Sequence, residues 1–235
     1  MADLDLKDLF LTATTIIGKN RMVIWYIGGI SICNSGLSLL AEESPFSGFF
    51  TTAALILSTI ATPVIYGICF ELLENRYSSI TAIMRNYLPG YFWLLLLMYM
   101  PAGFFAAIPM MVLPEQGGQG YFYIILISFA LLYLYVIPFY FFRGTYRRAL
   151  TDGVTFLLTN LTASTPLLLT ALLAESAILI FQYMKERHII ITPEILPVFD
   201  VVVYILVSFT DLILFMIMIL ILKNQNQSES RRDVF

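Results

Sequence analysis

The sequence is poor in charged residues, cysteine and histidine. Only 12% of its 235 residues are charged, whereas soluble domains average about 25%. Two cysteines exclude a secreted module held together by several disulfides, and a single histidine disfavours a zinc site. Lys and Arg number 13 against 16 Asp and Glu, so there is no basic surplus for nucleic acid. Because 59% of the residues are hydrophobic, the chain is predicted to lie in a membrane.

Six hydrophobic runs are long enough to cross a bilayer, which takes about 20 mostly apolar residues. The runs are 22–40, 49–70, 91–113, 121–142, 165–184 and 197–222. They leave no stretch of about 100 residues for a soluble domain. The predicted fold class is therefore an all-α integral membrane protein. Residues 1–223 are predicted to form a single six-span domain, and residues 224–235 a polar cytoplasmic tail.

Lys and Arg are distributed unevenly between the loops that six spans create. Eleven of the 13 fall on one side, and only Lys185 and Arg187 fall on the other. Because cytoplasmic loops retain positive charge, both termini are predicted to be cytoplasmic. An odd number of spans would put the termini on opposite sides and break this bias. A cleaved signal sequence at 22–40 is the alternative, but the acidic residues that precede this run disfavour it.

Three shorter segments have the periodicity of amphipathic helices. They cover about 4–20, 74–86 and 146–160, and each precedes a pair of predicted spans. Helices of this kind usually lie in the membrane interface with their apolar face towards acyl chains or protein. The predicted arrangement is therefore three transmembrane hairpins, each preceded by a cytoplasmic amphipathic helix.

The three amphipathic segments end in one short motif, Thr-x-(Ile/Leu)-x-x-Asn. It places three of the seven asparagines, Asn20, Asn86 and Asn160, where an interfacial helix would turn into a span. Asparagine suits helix caps, so all three are predicted to be caps of a repeated unit. The alternative is chance combined with a general need for a polar residue at a membrane junction.

The order of these segments, together with the stretches Tyr87-Leu-Pro-Gly-Tyr-Phe-Trp93 and Arg147-Arg-Ala-Leu150, resembles the bacterial six-span YciC-like membrane proteins. It is also similar to the membrane domain attached to some glycerophosphodiester phosphodiesterases. The resemblance implies this fold and the bacterial cytoplasmic (inner) membrane, and it carries over no active residue. A second likeness is to permease subunits of ATPase-driven exporters, in which Glu71-Leu-Leu-Glu-Asn-Arg76 would be the coupling segment. Amphipathic helices before spans one and five are not expected of such permeases.

Two carboxylates, Glu175 and Asp211, lie near the middle of spans five and six. Ionisable groups at this depth are costly unless they meet a partner or water. The hairpin should bring both acids to a similar depth, where at least one carries a proton or both hold a cation. Their helices extend this polar character at helical spacing. The additional candidates are Asp200, Tyr204 and Ser208 on span six, Gln182 on span five and Asn34 on span one.

These seven residues form the predicted intramembrane polar site, at the interface of spans one, five and six. As a functional site, it would be a pathway for a proton, a cation or a polar headgroup. As a structural feature, it would only hydrogen-bond the helices together, at roughly 0.6 kcal/mol per bond.

Signatures of catalysis are absent from the sequence. It has no Gly-Lys-Ser/Thr phosphate loop, no Gly-x-Ser-x-Gly elbow and no His-Glu-x-x-His helix. No catalytic residue, metal or cofactor is therefore predicted. The first functional hypothesis is a non-enzymatic membrane subunit or scaffold that contacts anionic lipids and either partner subunits or further copies of itself. The second is a transporter or permease, with or without a separate ATPase, whose intramembrane carboxylates bind the substrate, proton or cation.

Overall fold

The computed structural model describes residues 6–76, 78–112, 115–186 and 196–232, and all regular secondary structure in these ranges is α-helical. Within these ranges, the side chains of 42–43, 115–119, 178–179, 181–186, 196–197 and 227–232 lie outside the description. The helices are α1 (Leu6–Lys19), α2 (Arg21–Glu43), α3 (Ser47–Leu73), α4 (Ile80–Val112), α5 (Glu115–Leu132), α6 (Val136–Arg143), α7 (Tyr146–Thr159), α8 (Leu161–Glu186) and α9 (Leu196–Arg232).

Among the described residues, five segments are long and apolar enough to cross a membrane. They are Arg21–Ala41, Ser47–Leu73, Ile80–Val112, Gly120–Arg143 and Val198–Asn226. A sixth is added if α7 and the first part of α8, Leu161–Ala177, are counted together as one broken span. The chain is therefore all-helical in the described ranges, with five to six apolar segments of membrane-spanning length. The all-helical part of the predicted fold class is confirmed, and the apolar segments are compatible with a membrane protein.

The segment predicted as span five differs most from the other spans. The helices α7 and α8 are bent by 106° relative to each other, with Asn160 between them. The first turns of α8 are rich in hydroxyl side chains, among them Thr162, Ser164 and Thr165. These hydroxyls make the first turns of α8 less apolar than the leucine-rich turns that follow them, at Leu167–Leu169 and Leu172–Leu173.

The predicted separate helix at 74–86 is wrong. Residues 74 and 75 form a turn, residues 76, 78 and 79 have no regular secondary structure, and α4 runs without interruption from Ile80 to Val112, so Asn86 lies inside a helix and caps nothing. The turn is placed by Asn75, whose φ of 55° allows the Arg76 N–H to donate to the Glu71 carbonyl at 2.8 Å and end α3. From Ile80 onwards α4 is continuous, because in apolar surroundings an unbroken helix provides hydrogen-bond partners for most backbone N–H and C=O groups.

The predicted span at 121–142 is divided into two helices. A turn at 133–135 separates α5 from α6. Pro138 explains the break, because its ring clashes with the carbonyl four residues earlier, at Leu134, and it lacks an N–H. Other prolines, such as Pro63 and Pro101, lie inside continuous helices.

The chain divides into two compact units. The first unit contains the described residues of Ala2–Leu88 and Ser176–Ile217, and the second contains those of Pro89–Glu175 and Met218–Phe235. Each unit is described by itself below. The prediction of a single six-span domain stays a prediction.

In the first unit, α1 and α2 each have one buried face. On α1 the buried positions are Leu9, Ala13 and Ile17, at the spacing expected of a helix with one apolar face. On α2 a buried row passes from apolar to hydroxyl side chains along the helix. Its members are Val23, Ile27, Ser31 and Ser35.

In the second unit, α6 and α7 pack closely around Gly153. A Cβ added to Gly153 would lie 2.7 Å from the Val136 Cα, so the two helix backbones almost touch. The Ser164 hydroxyl on α8 donates to the buried Tyr135 hydroxyl at 3.1 Å, and the Tyr135 ring lies against Phe156 of α7. The helix α7 is thus held on one side by α6 and the turn before it.

Candidate functional site

A cleft lined by both apolar and oxygen-bearing side chains opens between α2, α3 and α9, entirely within the first unit. Its volume is about 90 Å³, enough for a few water molecules or a small ion but far below the roughly 300 Å³ at which pockets for drug-sized ligands begin. Each helix contributes residues at intervals of one, three or four, so each presents one face. The cleft is lined by Tyr26, Ile27, Ile30, Ala61, Thr62, Ile65, Tyr66, Ser208 and Asp211.

Oxygen atoms supply the chemistry of this cleft. Asp211 contributes the carboxylate and is exposed, and Ser208 lies one turn before it on α9. Tyr26, Thr62 and Tyr66 add further hydroxyl groups from α2 and α3. Along α9, Asp211 is about 18 Å from Lys223 at 1.5 Å per residue, which is deep in a membrane-spanning segment. An exposed carboxylate at that depth requires water, a ligand or another protein group beside it.

One wall of the cleft is held by stacked aromatic rings. The Tyr66 ring lies 4.4 Å from the ring of Phe215, and the two planes differ by 13°. Phe215 is buried, so it restricts Tyr66 to one orientation. The cleft is therefore partly preorganised by the packing of α3 against α9.

The helices α2 and α3 are largely apolar, but polar side chains lie where they contact each other. The Asn34 Nδ2 donates to the Ser58 hydroxyl at 3.0 Å, and the Thr62 hydroxyl donates to the Ser58 carbonyl at 2.8 Å. In the described part of the chain, the buried Asn34 Oδ1 and Ser35 Oγ have no hydrogen-bond partner. A buried polar group left unsatisfied costs about 1–3 kcal/mol, so both oxygens are well suited to accept from water.

Only part of the predicted polar site comes together in this cleft. Ser208 and Asp211 line it, whereas Asp200 is buried at 3% exposure and Tyr204 is 43% exposed, and neither is a lining residue. Asn34 points to Ser58 instead. The third wall is α3, which the sequence pattern did not indicate.

The pairing of Glu175 with Asp211 stays a prediction. Glu175 is half-buried in the second unit, and Asp211 belongs to the first unit. Gln182 lies in α8, but its side chain is outside the described residues.

Tyr26, Thr62 and Tyr66 are lining residues that the sequence did not predict. The signal that could have found Thr62 and Tyr66 is their spacing of four, which puts two hydroxyls on one face of an apolar helix. Tyr26 carries no such signal, because an isolated tyrosine near the end of a span is common.

A second buried acid, Glu71, lies at the end of α3. Its carboxylate accepts hydrogen bonds from the Tyr87 hydroxyl and the Ser78 hydroxyl, each at 3.1 Å. These bonds tie the end of α3 to the first turns of α4. Glu71 is thus turned inwards, whereas an ATPase coupling segment would need to display its residues to a partner.

The three motif asparagines have different surroundings. Asn160 ends α7, and its Nδ2 donates to the Phe156 carbonyl at 3.0 Å, as a cap should. Asn20 separates α1 from α2 but its side chain makes no capping bond to α2. The third position of the motif is more uniform, because Ile17, Ile83 and Leu157 are all buried.

No protein-family model, curated protein or solved structure matches this chain. Among the described residues, no group of three His, Cys, Asp or Glu side chains could hold a metal ion. The resemblance to YciC-like proteins therefore stays a prediction.

Proposed function

We propose that this chain is a non-enzymatic membrane subunit or scaffold. In this proposal, six spans bring both termini to the cytoplasm, and in-plane helices form a lipid-contact and docking surface at the cytoplasmic leaflet. The observation that carries the proposal is the 106° bend between α7 and α8. A helix nearly perpendicular to a span runs close to the plane of the membrane.

The two faces of α7 support an interfacial position. Its inner face, which includes Ala149 and Gly153, is buried, and Gly153 packs on α6. Its outer positions are exposed and include Arg147, Arg148 and the apolar Leu158. Basic and apolar groups side by side suit the boundary between anionic headgroups and acyl chains.

The helix α1 supports a repeated use of this design. Both α1 and α7 have 14 residues, and one asparagine separates each of them from the long helix that follows. Their buried positions share one spacing, Leu9, Ala13 and Ile17 in α1 and Ala149, Gly153 and Leu157 in α7. In our proposal these helices are two copies of an internal repeat, and the first turns of α4 are a shortened third copy. The resemblance to YciC-like proteins points to the bacterial inner membrane.

The lipid surface can be tested with Arg147→Gln combined with Arg148→Gln. Each exposed arginine near an anionic membrane contributes about 1 kcal/mol, so we expect the double variant to bind phosphatidylglycerol roughly 30-fold more weakly. The measurement is the affinity of the purified chain for single lipids, by native mass spectrometry and by titration in micelles. Phosphatidylcholine is the control lipid and should bind both proteins equally. Equal phosphatidylglycerol affinity for the two proteins, or binding that does not weaken with salt, would contradict the proposal.

The cleft favours a second candidate function, a transporter or permease. An exposed carboxylate deep in a span is costly unless water, a ligand or another protein group lies beside it, and a transported species or its coupling ion would be such a ligand. In this candidate, Asp211 acts from the cleft and Glu175 from α8.

The transport candidate predicts that Glu175→Gln combined with Asp211→Asn abolishes flux while the protein stays folded. The measurement is proton- or cation-driven flux in liposomes containing the purified chain, alongside its thermal unfolding. Asp152→Asn is the matched control, since Asp152 pairs with the exposed Arg143 at 3.9 Å outside the cleft, and it should retain flux. Loss of folding without separable activity, or a folded double variant with full flux, would contradict transport and support the scaffold role.

A further inference from the structure

We infer that the cleft between α2, α3 and α9 is a binding site for a small monovalent cation such as sodium. Asp211 is its charged ligand, and the hydroxyls of Ser208, Thr62, Tyr26 and Tyr66 are its neutral ones. Carboxylate and hydroxyl oxygens are the ligands that hard cations prefer.

The charges around the cleft favour a monovalent cation over a divalent one. Arg21 and Lys223 lie near the ends of the membrane-spanning segments of α2 and α9, and residues 22–41, 47–73 and 198–222 contain no Lys, Arg or His. Asp211 is the one carboxylate among the lining residues. One negative charge balances one positive charge, whereas a divalent ion would leave an uncompensated charge in an apolar bundle.

The size and surroundings of the cleft select the kind of ligand. A volume of about 90 Å³ holds an ion with one or two waters and is too small to enclose a lipid headgroup or a metabolite. The buried oxygens Asn34 Oδ1 and Ser35 Oγ lie further along α2 from the lining residue Ile30. Neither oxygen has a hydrogen-bond partner among the described residues, so both are available to accept from water.

The inference deepens the second candidate function, and its role in transport rests on that candidate. Binding and movement can be measured separately, however. A chain that binds sodium without flux would keep the cation site and contradict only transport.

The test is thermal unfolding of the purified full chain in micelles, with sodium chloride replaced stepwise by choline chloride at constant ionic strength. We expect the unfolding temperature to rise by about 5 °C at saturating sodium, because a ligand that binds only the folded state stabilises it. Asp211→Asn should raise the sodium concentration at half-effect at least tenfold. Ser208→Ala and Thr62→Ala should each raise it several-fold, and they remain informative if Asp211→Asn does not fold.

Two control variants lie outside the cleft. Asp152→Asn removes an acid from α7, and Ser128→Ala removes a hydroxyl that donates within its own helix, to the Ile124 carbonyl. Both should keep the wild-type sodium response. A wild-type unfolding temperature that is the same in sodium and choline would overturn the inference. So would folded cleft variants that respond to sodium as the wild type does.

Discussion

Replacing Gly153 with alanine is expected to destabilise the fold by about 2–3 kcal/mol, because it overpacks the contact between α6 and α7. The new Cβ would lie 2.7 Å from the Val136 Cα and 2.9 Å from its nitrogen. Both are backbone atoms, so no rotamer change can relieve the overlap and the helices must separate. This cost exceeds the roughly 1 kcal/mol that alanine gains over glycine within a helix.

The measurement is reversible unfolding of the variant in mixed micelles, compared with Gly103→Ala. Gly103 lies inside α4, and no described atom beyond its own stretch of helix comes within 4 Å of the place where a Cβ would be added. Its replacement should therefore be neutral or slightly stabilising. Gly67→Ala is an intermediate case, because its Cβ would meet the Ile83 Cγ2 at 2.5 Å; this is a side-chain atom, but Ile83 is buried and β-branched and has little rotamer freedom. If Gly153→Ala were as stable as Gly103→Ala, the close packing of α7 on α6 would be wrong, and the in-plane helix would lose its anchor.

The positions of the long helices could be predicted from hydropathy alone. Runs such as 49–70 and 197–222 fall inside α3 and α9, because a bilayer-spanning run of apolar residues is a strong signal. The helix breaks were harder to place. The motif at Asn20 and Asn160 marks real junctions, yet the same motif at Asn86 lies within α4. The motif does not determine whether a helix ends, because the continuing backbone bonds outweigh one polar side chain.

The candidate site could be predicted only in part. Ser208 and Asp211 were found because polar residues at helical spacing stand out on an apolar helix. Thr62 and Tyr66 were not, since the identity of the neighbouring helix depends on packing between spans. In an apolar environment that packing leaves little trace in the periodicity of any one helix.

The second prediction concerns the number of spans, which determines the side of the membrane on which the C-terminus lies. Five segments qualify as spans by themselves, and the sixth depends on α8 and its bend with α7. Six spans put both termini on one side, and five put them on opposite sides. The charge bias of eleven basic residues to two holds only for an even number.

Two fusion reporters distinguish a cytoplasmic from an external terminus. Alkaline phosphatase is active only outside the cytoplasm and green fluorescent protein fluoresces only inside it, so each fusion gives an all-or-none result. Phosphatase inserted within 187–195 should also be active if the chain has six spans, because this segment is then predicted to be external.

The most direct test of the six-span arrangement is therefore the location of both ends in the same cells. We predict that fluorescent protein fused before Met1 and fluorescent protein fused after Phe235 are both bright, and that phosphatase at either end is inactive. An active phosphatase after Phe235, with a fluorescent fusion before Met1, would contradict six spans and the cytoplasmic surface proposed for the in-plane helices.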